Sequence, residues 1–193
     1  MKLVKTQVVN EKTIPVETPL SEQAAGRLRV GDKVNLNGVV YVARDAAHHR
    51  LIETLQKGEK PPLDIKGQTF YYMGPSPAPP GRVIGSAGPT TSSRMDPYTP
   101  YLVSKGLRAM IGKGSRSMEV REALKQHGAV YFVAVGGAGA LLSLAIKEAK
   151  VIAYEDLGPE AILRLIVQDF PVIVANDVCG GDLFSQNQAI YRR

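Results

Sequence analysis

The chain has 193 residues, of which 44% are hydrophobic and 22% charged, proportions that argue against disorder and suit one domain with a buried core. No apolar run reaches the roughly 20 residues of a membrane-spanning helix, and one cysteine excludes an internal disulfide. The net charge of +6 is scattered, so we expect neither a nucleic-acid nor a membrane partner. Residues 1–5 carry no signal-peptide core, which together with the cysteine usage predicts a cytoplasmic location.

The first part of the chain, up to Gly58, is predicted to be rich in strands. Residues 30–42 have the pattern of two strands joined at Asn37-Gly38, a dipeptide typical of β-hairpin turns. A helix is predicted from Asp45, because apolar side chains then recur at helical spacing until Gly58 ends the pattern.

After Arg82 the pattern changes to strands that alternate with helices. Strands are predicted near Val83 and at residues 109–111, 130–135, 151–154 and 172–175, and helices at residues 118–127, 139–149 and 159–170. Such alternation implies a partly parallel sheet with helices packed on it. We therefore predict an α/β fold with a mixed sheet, formed by a single domain over residues 1–193 with a β-rich N-terminal part.

A loop rich in glycine and hydroxyl side chains follows the strand predicted near Val83. Residues 85–96 begin with glycines and a proline that bend the backbone, and continue with four consecutive Thr and Ser residues, types that cap helices. Arg94 adds a planar set of donors that matches a carboxylate or a phosphate. Because a helix N-terminus would add a positive dipole end, we predict an anion-binding site here.

A second polar loop, residues 111–116, places Lys113 between two glycines at the end of a predicted strand. In open α/β sheets, ligands bind outside the carboxyl ends of strands, which favours a site shared with the first loop. The alternative is that this Gly-Lys-Gly sequence forms a solvated turn without a binding role.

A third polar loop, residues 42–48, contains Arg44, Asp45 and His48 at a transition from strand to helix. Its position favours a contribution to the same site. The structural alternative is that Asp45 caps the helix while Arg44 and His48 pair with surface carboxylates.

A glycine-rich segment partly matches a dinucleotide-binding fingerprint. Gly137 and Gly139 occupy its first two glycine positions, and acidic residues follow about 20 positions later. Leu142 stands at the third position, where a small residue is needed for close packing, so we favour a packing role. A dinucleotide-binding α/β protein that uses the loop at residues 136–139 is one alternative function, and a non-catalytic basic interaction module is another.

Few residues of this chain are of types that bind transition metals. There are three histidines and one cysteine, Cys179, which cannot form a usual ligand set for zinc or for an iron–sulfur cluster. We therefore predict no metal site on this chain and interpret Cys179 as a structural or loop thiol.

Four motifs occur in the order seen in one protein family. They are Ala43-Arg44-Asp45-Ala46-Ala47-His48, Gly88-Pro89-Thr90-Thr91-Ser92-Ser93-Arg94-Met95-Asp96, Gly112-Lys113-Gly114 and Val135-Gly136-Gly137-Ala138. On these motifs the chain resembles the class I (iron–sulfur) fumarase and tartrate dehydratase family, over nearly its whole length from about Leu20. It looks like the C-terminal domain of that family, which in some members is a separate beta subunit.

The resemblance implies a swivelling β/β/α domain that forms half of a hydro-lyase. The family reversibly removes water from a 2-hydroxy dicarboxylate, with malate to fumarate the first expectation and tartrate to oxaloacetate the second. It also implies a [4Fe–4S] cluster carried by a cysteine-bearing alpha subunit, and none bound by this chain alone. The expected assembly is α2β2, active only as a complex, with residues 1–19 as an N-terminal arm that contacts the partner.

The resemblance also implies roles for particular residues. Arg44, Arg94 and Lys113 match contacts to the substrate's carboxylates or hydroxyl, and Thr90 matches the residue proposed as the base. A threonine hydroxyl is a poor base unless a neighbouring group activates it, and the family's candidate activator is an aspartate of the other subunit. The remaining assignments are substrate binding for Gly88 and Thr91, and orientation of Arg44 for Asp45 and His48.

Overall fold

A computed structural model of the chain describes residues 13–191. These residues form one seven-stranded sheet in the order β1-β2-β3-β4-β5-β7-β6. The strands are β1 (Ile14–Thr18), β2 (Lys33–Val42), β3 (Thr69–Tyr71), β4 (Ala109–Gly112), β5 (Val130–Val133), β6 (Ile146–Ala153) and β7 (Ile162–Asn176). The α-helices are α1 (Glu22–Arg27), α2 (Asp45–Gln56), α3 (Thr99–Ser104), α4 (Met118–His127), α5 (Gly139–Leu144) and α6 (Leu183–Tyr191), with 3₁₀ helices at Ser92–Met95 and Glu155–Glu160.

The strand pairings close part of this sheet into a ring. Strands β2, β3, β4 and β5 pair with one another in parallel, in that order. Strand β7 runs antiparallel to both β5 and β2 and so joins the two ends of the parallel set. Strand β1 extends the sheet beside β2, and β6 extends it beside β7. The parallel strands therefore end together at one edge of the ring.

Alternate side chains of the ring strands enter two different hydrophobic clusters. In β5, Val130 and Phe132 belong to the first cluster, whereas Tyr131 belongs to the second. Successive side chains point to opposite faces of a strand, so the two clusters lie on opposite faces of the sheet. The second cluster also contains Leu51 of α2 and Leu124 of α4, which shows that these helices cover its face. The prediction of a mixed sheet with helices packed on it is confirmed.

Several predicted elements are confirmed, and their ends have clear local causes. Helix α2 begins at Asp45 as predicted, and α4 has the predicted bounds Met118–His127. The hydroxyl of Ser117 accepts a hydrogen bond from the backbone of α4, and Gly128 ends this helix in the left-handed conformation. Strands β4 and β5 lie close to their predicted positions.

The hairpin predicted at Asn37-Gly38 is wrong, because both residues lie within the continuous strand β2. Its pairing with β7 shifts register at Gly38, which has a φ of 106°. A Cβ at this position would collide with the carbonyl oxygen of Thr18 in the neighbouring β1. The glycine therefore marks a β-bulge and a close approach of two strands rather than a turn.

The helix predicted at residues 159–170 is wrong, because most of this segment is the first half of β7. The helix predicted at residues 139–149 ends at Leu144, and β6 begins at Ile146. The segment around Val83 is an exposed loop instead of a strand. In β7 the burial alternates along residues 163–167, and this alternation gives strand pairing an advantage over a helix.

Two further expectations, on membrane-spanning helices and on the N-terminal arm, can be compared with the structure only for residues 13–191. Within residues 13–191, no helix is long and apolar enough to cross a membrane. Residues 1–12 of the predicted N-terminal arm lie outside the described residues, whereas Ile14–Thr18 form strand β1.

Candidate active site

The carboxyl ends of the four parallel strands carry the predicted functional loops. Arg44 follows β2, and Lys113 directly follows β4. The Arg44 side chain crosses the backbone beyond β3, where a Cβ at Gly74 would collide with its Nη1 atom. After β5, a Cβ at Gly136 would lie 3.7 Å from Cδ of Lys113. The structure thus brings the loops after β2, β3, β4 and β5 to one edge of the sheet, and among them lie the three polar loops, at residues 42–48, 85–96 and 111–116, that the sequence predicts to share a site.

The segment from Thr90 to Ser92 lies alongside Lys113. The backbone N–H of Thr90 donates to the carbonyl of Tyr72 at 2.7 Å, and the N–H of Lys113 donates to the carbonyl of Thr90 at 3.1 Å. The N–H of Ser92 then donates to the carbonyl of Lys113 at 2.9 Å, and Thr91 forms an isolated β-bridge with Lys113. The exposed Lys113 is therefore held beside Thr90 and does not lie in a freely solvated turn.

Gly88 packs against the start of α5. The N–H of Ala87 donates to the carbonyl of Gly139 at 3.0 Å, and a Cβ at Gly139 would lie only 2.8 Å from the backbone nitrogen of Gly88. This contact gives Gly139 a packing role, which the sequence analysis favoured over dinucleotide binding. The loop at residues 136–139 therefore lies beside Gly88 and Lys113 and borders the candidate site.

Arg94 and Asp45 form a bidentate ion pair at the same edge. Arg94 lies in the 3₁₀ helix Ser92–Met95, and its Nε donates a hydrogen bond to Oδ1 of Asp45 at 2.9 Å, while its Nη2 lies 2.9 Å from Oδ2. The side chain of Arg94 is 49% exposed and that of Asp45 28% exposed, so the pair remains accessible to a ligand. The alternative of Asp45 as the helix cap is wrong, because the N-cap of α2 is Arg44.

Arg44 approaches two carboxylates. Its Nη2 lies 3.3 Å from Oε1 of Glu160, and its Nε lies 3.9 Å from Oδ2 of Asp45, the oxygen that Arg94 also contacts. Oε2 of Glu160 accepts a hydrogen bond from the N–H of Ala46 at 2.8 Å and so stabilises the first turn of α2. Glu160 is not among the predicted site residues, since it falls inside the helix predicted at residues 159–170, and no local pattern points to its contact with Arg44.

His48 lies beneath the site, in the core. It is fully buried among the rings of Phe70, Tyr72 and Tyr98, at centroid distances of 5.4 to 5.8 Å. Its Nδ1 lies 2.8 Å from the backbone carbonyl of Arg44 and donates to it, so His48 acts on the backbone of Arg44 and not on its guanidinium. Burial lowers the pKa of His48 to about 4, although this hydrogen bond acts in the opposite direction. The ring is therefore neutral near pH 7.

We expect His48 to make the stability of the fold dependent on pH. Unfolding returns its pKa from about 4 to the ordinary 6.5, so the unfolded state binds the proton first as the pH falls through this window. The wild type should therefore lose about 3 kcal/mol of unfolding free energy between these pH values, a loss that His48→Gln should not show. Urea denaturation at stepped pH measures the difference.

The matched control is His49→Gln, at an exposed position on the same helix. It should keep the wild-type pH dependence. A His48→Gln chain that loses stability as steeply as the wild type would contradict the assignment.

A buried arginine anchors the segment that carries Arg94. The side chain of Arg116 is 0% exposed, and its Nε donates to Oδ1 of Asp96 at 2.7 Å. Its Nη2 donates to the hydroxyl of Thr99 at 2.6 Å, and the N–H of Ser117 donates to Oδ2 of Asp96 at 2.8 Å. Asp96, at the end of the motif that contains Arg94, is thus held by a buried cation.

A second buried contact, made by Tyr131, holds the segment that carries Arg94 on its core side. The hydroxyl of Tyr131 lies 2.8 Å from Oγ of Ser92 and 2.8 Å from the carbonyl of Gly114. The guanidinium of Arg116 lies over the Tyr131 ring, 4.9 Å from its centroid. Burial raises the pKa of Tyr131, so its hydroxyl stays protonated and can donate. The sequence analysis missed this cluster, because contacts between residues far apart in the chain leave no local signature.

The part of the chain between residues 13 and 191 holds no group of three His, Cys, Asp or Glu side chains placed to bind a metal ion. Cys179 is an exposed free thiol in the turn after β7, and its N–H donates to Oδ1 of Asp177 at 2.9 Å. The polar groups at the candidate site are the guanidinium groups of Arg44 and Arg94, the ammonium group of Lys113 and the hydroxyl group of Thr90. Cations placed around one edge suit a ligand that carries carboxylates.

Comparison with known proteins gives one consistent result. A family model described as Fumarase C-terminus matches residues 2–187. The aerobic class I fumarate hydratase of Salmonella typhimurium is 40% identical over 180 residues, which cover 91% of this chain and 31% of that protein. Fumarate hydratase 1, mitochondrial, of Leishmania major is 37% identical over 189 residues, which cover 96% of this chain and 34% of that protein.

A shorter relative matches along almost its whole length. The putative L(+)-tartrate dehydratase subunit beta of Methanocaldococcus jannaschii is 36% identical over 181 residues, which cover 90% of this chain and 93% of that protein. The chain spans about a third of the length of the fumarate hydratases that it matches. The chain therefore belongs to the family described as Fumarase C-terminus.

Proposed function

We propose that this chain is the beta subunit of an iron–sulfur-dependent hydro-lyase that reversibly dehydrates a 2-hydroxy dicarboxylate. The observation that carries the proposal is the convergence of Arg44, Arg94 and Lys113 beside Thr90 at one edge of the sheet. The match to a dehydratase beta subunit along 93% of its length supports the proposed division between two subunits. Malate and fumarate are the first proposed substrates, and tartrate the next.

The cationic residues bind and orient the diacid. Arg94 offers five N–H donors, of which the one on Nε donates to Asp45, and the second contact, from Nη2 to Oδ2, helps to hold the guanidinium plane in place. The remaining donors can take one carboxylate of the substrate, and Arg44 and Lys113 take the other carboxylate or the hydroxyl. A dicarboxylate is stabilised most strongly where such charge-assisted hydrogen bonds come from side chains that are already held in position.

Thr90 is the proposed base that removes a proton from the substrate. Its backbone is fixed on both sides, by the carbonyl of Tyr72 and by the N–H of Lys113. Because a hydroxyl is a weak base, Thr90 needs an activating group, which we assign to an aspartate of the partner subunit. Gly88 and Thr91 complete the proposed substrate surface around it.

The cofactor belongs to the partner in this proposal. The region of residues 13–191 does not fit an iron–sulfur cluster, since Cys179 has no second cysteine beside it and belongs to no group of three His, Cys, Asp or Glu side chains. We therefore assign a [4Fe–4S] cluster to a cysteine-bearing alpha subunit, in an α2β2 assembly. We further propose a cytoplasmic location, a single-domain chain and partner contacts by the arm at residues 1–19.

Reconstitution of the complex tests the proposed function. The chain is co-expressed with its cysteine-bearing partner, the cluster is assembled anaerobically, and turnover of malate, fumarate and both tartrate enantiomers is measured. We expect turnover of at least one diacid by the complex, and none by either subunit alone, because each holds part of the site. Turnover by this chain alone would contradict the proposal, as would a loaded complex that is inactive on every diacid.

A further inference from the structure

An apolar groove lies on the side of the sheet where β2, β5 and β7 meet α5. It has a volume of about 370 Å³. Its apolar lining includes Val34, Val133, Val135, Leu141, Leu142 and Val172. Val135 is 63% exposed and Leu141 64% exposed. Two such side chains left to solvent in one groove are typical of an interaction surface.

The apolar surface extends beyond this groove. A neighbouring concavity shares Leu141 and Pro171 with it and adds Leu144, which is 49% exposed. The large exposed hydrophobic residues of the described region are Val83, Met118, Val135, Leu141, Leu144 and Val151. Half of them therefore lie on this one surface, whereas single exposed apolar residues are ordinary on any protein.

The groove is continuous with the candidate active site. Val135 lines the groove, and the next residue, Gly136, lies against the Lys113 side chain. Helix α5 supplies Leu141 to the groove, while its first residue, Gly139, contacts Gly88. A protein that covers the groove would therefore also face the candidate active site.

The relatives indicate what lies on this surface. The fumarate hydratases extend well beyond the region they share with this chain, and the shared region is described as the C-terminus of fumarase. The additional polypeptide in those proteins therefore precedes the shared region. Thr13, the first residue that the structure describes, lines the groove. In a single-chain relative, the additional polypeptide therefore joins the shared region on the N-terminal side of Thr13, the end of the described chain that lies at this groove.

We propose that the apolar surface formed by this groove and the neighbouring concavity, which exposes Val135, Leu141 and Leu144, is the docking surface for the cysteine-bearing alpha subunit, an inference that rests on the proposed function. Apolar side chains of the partner fill the groove and bring its cluster-bearing face against the edge that carries Lys113 and Thr90. The groove thus sets the position of one half of the active site relative to the other.

The test is the affinity of the purified alpha subunit for variants of this chain, measured by calorimetry. Leu141→Asp places a charge on the side chain that lines both the groove and the neighbouring concavity, and we expect it to weaken binding about 30-fold or more. The control is Met118→Asp, which changes a residue that is 69% exposed at the start of α4, outside the groove. It should bind as the wild type does, and circular dichroism should show both variants folded.

The outcomes separate the docking surface from the proposed function. If Leu141→Asp binds the alpha subunit as tightly as the wild type, and the complex turns over a diacid, the docking inference fails and the function stands. If the wild type does not bind the alpha subunit, the proposed function itself fails. If the isolated wild type sediments as a dimer that Leu141→Asp dissociates, with partner binding unchanged, the groove is instead a contact between two copies of this chain.

Discussion

In the reconstituted complex, Arg94→Ala is expected to lower kcat/KM by about 100-fold or more while the complex still assembles. The guanidinium of Arg94 is held by Asp45 through two 2.9 Å contacts, so its remaining donors are already oriented for a carboxylate. Hydrogen bonds to a charged group contribute about 1.5–3 kcal/mol each, and loss of two of them corresponds to this change in rate. Steady-state kinetics on the active diacid, with size-exclusion chromatography of the complex, measures both parts of the expectation.

The fold should tolerate this change, because the pair of Arg94 and Asp45 is partly exposed. Pairs of this kind contribute about 1 kcal/mol or less to stability. The matched control is Arg50→Ala, which removes a bidentate pair between Arg50, in the middle of α2, and Asp156, with contacts of 2.8 and 2.7 Å. It should leave the kinetics unchanged. Full activity of the Arg94→Ala complex would show that Arg94 does not bind the substrate.

The location of the candidate site could be predicted from the sequence because it depends on topology more than on detail. Arg44 and Lys113 each follow an apolar strand, and parallel strands end at one edge of a sheet. The order of strands and polar loops, which the sequence displays directly, is enough to place these residues at one edge, without any distance between side chains.

The supporting contacts could not be predicted, because they join residues far apart in the chain. Glu160 contacts Arg44 only after the sheet has brought β7 beside β2. Tyr131 belongs to the second hydrophobic cluster, and its hydroxyl contacts Ser92. In the sequence Tyr131 stands within an apolar run that predicts only a strand. Such contacts are a consequence of the fold and are encoded by no local spacing.

The errors in secondary structure have a related cause. Residues 159–170 contain apolar side chains at spacings that suit both a helix and a strand, and the pairing of β7 with β2 and β6 decides the outcome. At Asn37-Gly38 the local preference for a turn is overridden by two neighbouring strands that hold β2 extended. In both segments long-range pairing outweighs local preference.

Arg116→Leu is expected to destabilise the fold by about 3–5 kcal/mol, because removal of one partner leaves a buried charge uncompensated. Arg116 is 0% exposed, and Asp96, its partner at 2.7 Å, is 13% exposed. Thr99 also loses its contact with the guanidinium. In urea denaturation this loss corresponds to a shift of the midpoint by about 2 M for a protein of this size.

A second variant distinguishes the charge effect from lost packing. If the unpaired carboxylate of Asp96 causes most of the loss, the double variant Arg116→Leu with Asp96→Asn should be more stable than Arg116→Leu alone, because the uncompensated charge is gone. Arg50→Leu serves as the control, since its pair with Asp156 is exposed, and it should cost less than about 1 kcal/mol. A loss as small as this in Arg116→Leu would show that the buried cation does not anchor the segment that carries Arg94 and Thr90. The same anchor bears on the proposed substrate site, because Asp96 fixes the backbone two residues after Arg94.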